Sequence, residues 1–253
     1  MLPKRAVLGM LTLSALLIAP CQGAENVVQK EIVWSQSDGL RYEIYHSSSK
    51  GDAWEAPQKL TNNNANNLHP DFVIAPNGTH WIFWSAVQPD GIAIEYLVGQ
   101  DGNKWSSEPI KLATDHSSAI TPSALAAHDG VIWLVWAGND GEQDEIYYSR
   151  FVNSAWQKPM LINAANETPD IKPKIALNEQ GNIEVRWQGF RDGKYTTLVS
   201  TYTTNGWSPE REAEEKKEET VENTKPVLPD FLPQASTYVL QEISADGRAK
   251  KVE

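Results

Sequence analysis

The chain has one cysteine, Cys21, and so little thiol chemistry that no internal disulfide can hold the fold together. Basic residues are also scarce: 22 Lys and Arg stand against 33 Asp and Glu, for a formal charge of −11. Such a surface repels a phosphate backbone, which argues against nucleic acid as a partner. It disfavours a polyanionic glycan too, unless a local basic patch overrides the net charge. The longest apolar run, Ala6 to Ala19, has 14 residues, too few to span a bilayer comfortably, so no transmembrane anchor is expected. There is no Gly-rich phosphate loop, no HExxH and no GxSxG. The histidines, His46, His69, His80, His116 and His128, lack metal-ligand spacing and read as surface or hairpin positions. No turn supplies the spaced oxygen ligands that calcium wants. No catalytic residue, metal site or cofactor is therefore assigned.

The N-terminus reads as a secretory signal over residues 1–23. Lys4 and Arg5 precede the apolar run, and the small residues Cys21, Gly23 and Ala24 follow it. Cleavage there places the mature protein in the periplasm or outside the cell. The alternative is a lipoprotein whose Cys21 carries a lipid anchor. Ile18-Ala19-Pro20-Cys21 is similar to the acylation motif, although Pro20 departs from it.

Tryptophan is what the chain has in abundance, ten in all, and their spacing is periodic. Trp34, Trp84, Trp136 and Trp187 lie in apolar strand-like runs, at separations of 50, 52 and 51 residues. Trp54, Trp105, Trp156 and Trp207 follow Gly-, Asp- or Asn-rich turns, each 51 residues after the last. Asp38-Gly39, Asp90-Gly91, Asp140-Gly141 and Asp192-Gly193 keep the same register. Asp-Gly favours the positive φ of tight hairpins, so each pair should join two antiparallel strands. Pro70, Pro122 and Pro173 each stand 14 residues before a strand tryptophan, and Asn77-Gly78, Asp129-Gly130 and Gln180-Gly181 supply a further turn.

Each repeat thus reads as four strands. Strand A follows the first proline, strand B holds the first tryptophan, strand C follows the Asp-Gly pair, and strand D begins at the second tryptophan. Four antiparallel strands per repeat of about 51 residues are the pattern of a β-propeller blade, so the expected fold is all-β, a propeller of four blade units. The first unit lacks strand A. At the other end Pro226 and Leu240 repeat the 14-residue spacing, followed by Asp246-Gly247, as in a degenerate A–B hairpin. The expected organisation is a signal at 1–23, a propeller at 24–209, a charged linker at 210–225 and a C-terminal strand segment at 226–253. That segment either completes the first unit, forms part of a fifth blade, or is an appendage.

The D-strand entries SSSKGDAW, VGQDGNKW, RFVNSAW and TYTTNGW resemble degenerate Asp-box motifs, Ser-x-Asp-x-Gly-x-x-Trp. Over about residues 31–209 the chain is therefore similar to the sialidase-like propellers. In that family the Asp-box is structural, and sialidase activity needs three arginines on one substrate carboxylate. After the signal only Arg41, Arg150, Arg186, Arg191, Arg211 and Arg248 remain, and they show no such triad. The resemblance thus implies a non-catalytic member.

Propellers commonly bind ligands at one end of the axis, where the loops into strand A meet those joining B to C. The polar residues there are unlike from unit to unit: His69, Asp71, His116, Thr121, Ser123, Asp170, Lys172 and Lys174. Such variety suits one asymmetric partner, a protein or a surface glycan, bound without catalysis, although loop polarity alone would give the same pattern. A second reading makes Trp54, Trp105, Trp156 and Trp207 repeated sugar-stacking sites of a lectin. A third is a glycan-active hydrolase or lyase whose site follows no recognised motif.

Overall fold

A computed structural model describes residues 29–51, 53–100, 104–139, 141–214, 228–234 and 237–252. The signal segment with Cys21, the Asp140 turn position, most of the charged linker and Pro226 lie outside the described residues. Among the described residues all regular structure is β.

The first unit comprises β1 (Gln29–Ser37), β2 (Tyr42–Lys50) and the short β3 (Ala53–Trp54) and β4 (Gln58–Lys59). The second has β5 (Asn66–Ile74), β6 (Thr79–Gln88), β7 (Gly91–Gln100), β8 (Lys104–Trp105) and β9 (Ile110–Lys111). The third has β10 (Ser118–Ala126), β11 (Ile132–Asn139), β12 (Asp144–Val152), β13 (Ala155–Trp156) and β14 (Met160–Leu161). The fourth has β15 (Asp170–Leu177), β16 (Ile183–Arg191), β17 (Lys194–Thr203), β18 (Gly206–Trp207) and β19 (Arg211–Glu212). The chain ends with β20 (Tyr238–Ile243) and β21 (Ala249–Val252).

Strand D, expected as one strand, is two short pieces that both pair with strand C of their own unit. Pro57, Pro109, Pro159 and Pro209 stand between the pieces, and a proline has no N–H to give the ladder. The A–B turns form as expected, with Gly78, Gly130 and Gly181 at φ of 80°, 83° and 77°.

The strand tryptophans explain why the units stack. Trp34, Trp84, Trp136 and Trp187 are fully buried or nearly so. Each removes a large indole from water, worth about 4 kcal/mol or more at ~25 cal/mol per Å². Separate apolar cores lie between neighbours. Val33, Phe72 and Trp84 join units one and two; Phe83, Leu134 and Trp136 join two and three; Trp133, Val185 and Trp187 join three and four. A fourth core covers the outer face of unit one, where Trp34, Ile32 and Leu240 meet Leu228, Phe231 and Leu232.

The C-terminal strands belong to this first sheet, whose order is β21–β20–β1–β2–β3. Strand β20 runs antiparallel to β1 from Trp34↔Tyr238 to Gln29↔Ile243. By spacing, the strand carrying Leu240 matches the tryptophan strands; in the structure it takes the A place beside β1 instead. It does so because β1 has no other inner partner, while Leu240 fits against Ile32. Among the described residues no apolar core joins unit four to unit one. A cleft lies there instead.

Candidate functional site

Three bulges prepare the inner strands. The A strands of units two, three and four lose register between Leu68 and Asp71, Ile120 and Ser123, and Ile171 and Lys174. Within the gaps His69, Thr121 and Lys172 have left-handed φ of 51°, 51° and 54°. That region is unfavourable for a residue with a side chain, most of all for β-branched Thr121. Each is followed by a proline, so the same strained step recurs three times along one spatial row. Such strain persists only where neighbours over-determine it.

Beyond each bulge the next side chain reaches the following unit. Asp71 Oδ2 accepts a hydrogen bond from the Ala124 amide at 2.6 Å, and Ser123 Oγ accepts from the Ile175 amide at 3.3 Å. Lys174 holds the same place in unit four, and among the described residues it makes no such link. The series of latches stops there.

At this junction lies a cleft of about 520 Å³. Unit four contributes Lys172, Lys174, Arg186, Trp187, Gln188 and Thr197, the tail contributes Tyr238, Val239, Lys251 and Val252, and Asp71 and Ser123 complete the wall. Four of the eight loop residues singled out from sequence, Asp71, Ser123, Lys172 and Lys174, therefore share one cleft.

Its charge is opposite to that of the chain. Asp71 is buried, and both its oxygens are held by Lys251 Nζ at 2.6 and 2.8 Å. Arg186 Nε pairs with Glu184 at 2.8 Å. Lys172 and Lys174 are exposed and have no ion-pair partner among the described residues. His69 reports their field. Although its side chain reaches solvent, partial desolvation and then repulsion from Lys174 and Lys172 hold its imidazole below the ordinary value. Trp187 lines the same wall, its indole N–H buried like those of Trp84 and Trp136 in the repeat. Among the described residues the wall therefore offers ammonium groups, and its single carboxylate is already neutralised.

The remaining candidates sit elsewhere. Thr121 donates its amide to Ser85 Oγ at 3.0 Å. His116 lies on the Tyr147 ring at 4.0 Å, in a space that a Cβ on Gly138 would fill. Asp170 is buried and grips Arg191, with Asp170 Oδ1 3.0 Å from Arg191 Nη1, and Glu210 holds the same guanidinium at 2.9 Å. Gly189 is required there, since its Cβ would come within 2.7 Å of Asp170 Oδ1. None of Trp54, Trp105, Trp156 and Trp207 lines the cleft. Trp156 sets its ring edge against Trp81 and Tyr96, and Trp207 against Trp133 and Tyr148, both on the preceding unit. Trp105 sets its ring edge-on to His46 of the preceding unit and His80 of its own, and Trp54 packs by its own unit's outer core.

His46 and His80 correct the surface reading of the histidines: both are buried, at 1% and 4% exposure. Glu31 draws them in, with Oε2 2.9 Å from His46 Nε2 and Oε1 3.0 Å from His80 Nε2. His80 Nδ1 meets the Gly78 carbonyl at 2.8 Å, so both of its nitrogens face acceptor oxygens. Sequence reasoning also missed Arg186 and Lys251. Arg186 could have been noticed, because it interrupts the apolar run IEVRW where units two and three have Phe83 and Val135. Nothing in the sequence marks Lys251.

No family model matches the chain. No curated protein matches it in sequence. Solved structures do match in fold. A protein of unknown function from Dyadobacter fermentans aligns with TM-score 0.55 and 12% identity, over 68% of this chain and 58% of its own. A Hadza microbial sialidase aligns with TM-score 0.54 and 13% identity, over 71% of this chain and 43% of its own. An endo-arabinase from Bacteroides thetaiotaomicron aligns with TM-score 0.50 and 14% identity, over 87% of this chain and 88% of its own. The chain thus spans well under two thirds of the first and second of these. The likeness establishes an all-β, propeller-like fold and nothing finer.

Proposed function

We propose that this chain is an exported, non-enzymatic propeller that binds a carboxylate-bearing glycan in the cleft between unit four and the C-terminal strands. The observation that carries this reading is the pair Lys172 and Lys174, exposed and without an ion-pair partner among the described residues, in a cleft of an otherwise acidic protein. This is the local basic patch that could override the net charge. Focused positive potential in a concave wall concentrates anions. Binding rather than hydrolysis is favoured by Asp71. Among the described residues it is the one carboxylate lining the cleft, and Lys251 and the Ala124 amide engage both of its oxygens. That leaves no free acid–base pair of the kind glycoside hydrolysis uses. The sialidase and the endo-arabinase are glycan-active by name, which makes a saccharide the first ligand class to test.

The finer architecture belongs to the same proposal. The four units form four blades, β20 is strand A of the first, and the cleft lies at the seam where both ends of the chain meet. Export rests on the N-terminal pattern of residues 1–23.

Retention of the purified chain on immobilised hyaluronan and polygalacturonate, against arabinan and xylan, tests the reading. Binding to the uronate polymers that weakens with salt and falls at least tenfold in Lys172→Ala/Lys174→Ala supports it. Equal retention on neutral polymers, retention on none, or turnover of any of them overturns it.

A further inference from the structure

A second concavity, of about 420 Å³, opens beside the cleft, and its chemistry is different. Among the described residues no Lys, Arg, Asp or Glu lines it. Tyr42 forms one wall with 47% of its surface exposed, and its amide is held by Asn66 Oδ1 at 3.1 Å. Gln36 also lines it. The Trp34 indole N–H donates to Gln36 Oε1 at 2.9 Å, which fixes the amide and leaves the Nε2 donors without a partner among the described residues. The Ser37 and Thr237 hydroxyls and His69 complete a set of neutral donors and acceptors.

The two concavities adjoin. His69 lines the second and feels Lys172 and Lys174 of the first. Thr237 lines the second while its chain neighbour Tyr238 lines the first. An exposed aromatic ring beside fixed neutral hydrogen-bonding groups suits an uncharged sugar ring, whose C–H face packs on the ring while its hydroxyls meet the polar groups. We propose that Tyr42, Gln36 and His69 form a neutral-sugar subsite next to the cationic cleft. The ligand is then a mixed glycan in which an uncharged residue neighbours an acidic one. This inference rests on the carboxylate-glycan reading of the cleft and adds a specificity that the reading alone does not predict.

Calorimetric titration of the full-length chain with two tetrasaccharides separates the two claims. One is from hyaluronan, where uronate alternates with a neutral amino sugar; the other is from galacturonan, where every residue is acidic. The hyaluronan fragment should bind about tenfold tighter. Tyr42→Ala should abolish that preference, with an unchanged melting temperature showing that the variant is folded, and Tyr42→Phe should keep most of it. Equal affinities, tighter binding of galacturonan, or indifference to Tyr42→Ala overturns the subsite and leaves the cationic cleft standing. Binding of neither fragment overturns both.

Discussion

The Lys251 ammonium lies 2.6 and 2.8 Å from the two carboxylate oxygens of Asp71 and 3.3 Å from the Ala124 carbonyl oxygen. Three parts of the chain meet at this one charge: the last strand, the second unit and the third. Asp71 also takes the Ala124 amide, so its carboxylate is desolvated but fully hydrogen-bonded.

Removing the ammonium should therefore cost more than the pair contributes. Lys251→Met leaves a buried carboxylate facing an apolar side chain, a loss of about 3–5 kcal/mol for a fully buried pair. Lys251 keeps partial exposure, so about 2–3 kcal/mol is expected here. Thermal melting should fall by roughly 5–10 °C. Asp71→Asn in the same background should recover part of the loss, because it removes the unpaired charge. A parent-like melt for Lys251→Met would show that the contact is incidental.

Acid should attack a different junction. Burial raises the Glu31 carboxyl, but hydrogen bonds and charge from His46 and His80 outweigh it and hold the pKa at about 2. The folded value lies below the unfolded one, near 4.5. The stabilisation is thus complete above that value and is lost as pH falls towards 2, and it amounts to about 3 kcal/mol. Between pH 5 and 3 the Glu31→Gln variant should lose less melting temperature than the parent. Parallel acid curves for the two proteins would refute the cluster's role.

The strand ladder was legible because period and turn chemistry are local properties. Trp34, Trp84, Trp136 and Trp187 recur in apolar runs, and those runs are the buried B strands. The A-strand bulges were hidden, since only the prolines at 70, 122 and 173 hint at them and a proline specifies no partner. The cleft was half legible. Lys172 and Lys174 stood out as unlike loop residues, whereas Lys251 comes to Asp71 across 180 residues of sequence. The His46–Glu31–His80 cluster was illegible for the same reason: His80 lies 49 residues from Glu31, and spacing of that length records no contact.

Binding and stability should separate at the lysines. Lys172 and Lys174 are exposed and make no ion pair among the described residues, so Lys172→Ala/Lys174→Ala should melt within about 1 °C of the parent. Its affinity for uronate polymers should nevertheless fall at least tenfold, and the residual binding should depend less steeply on salt. The His69 titration, followed by NMR, should shift upward in the same variant, because its two repelling charges are gone. An unmoved His69 would mean that the lysines do not set the potential of this wall.

The tail provides the most severe test of the architecture. Strand β20 pairs with β1 over six residue pairs, and Phe231 stacks on Trp34 with ring centroids 5.6 Å apart. A chain ending at Glu214 would uncover Trp34 and Ile32, both fully buried, and leave β1 as a free edge. A bare apolar edge pairs with other copies. Each large apolar side chain returned to water costs about 1.5–3 kcal/mol, and a domain's whole margin is about 5–15 kcal/mol. The truncated chain should accordingly aggregate or unfold, visible by light scattering and loss of near-ultraviolet circular dichroism. Phe231→Ala, which keeps the strand pairing, should lose only about 2 kcal/mol and stay monomeric. If the truncated chain instead remains monomeric with an unchanged melting temperature, the tail is an appendage. The proposed ring closure fails with it, and so does the cleft, because Lys251, Tyr238 and Val252 would no longer form its second wall.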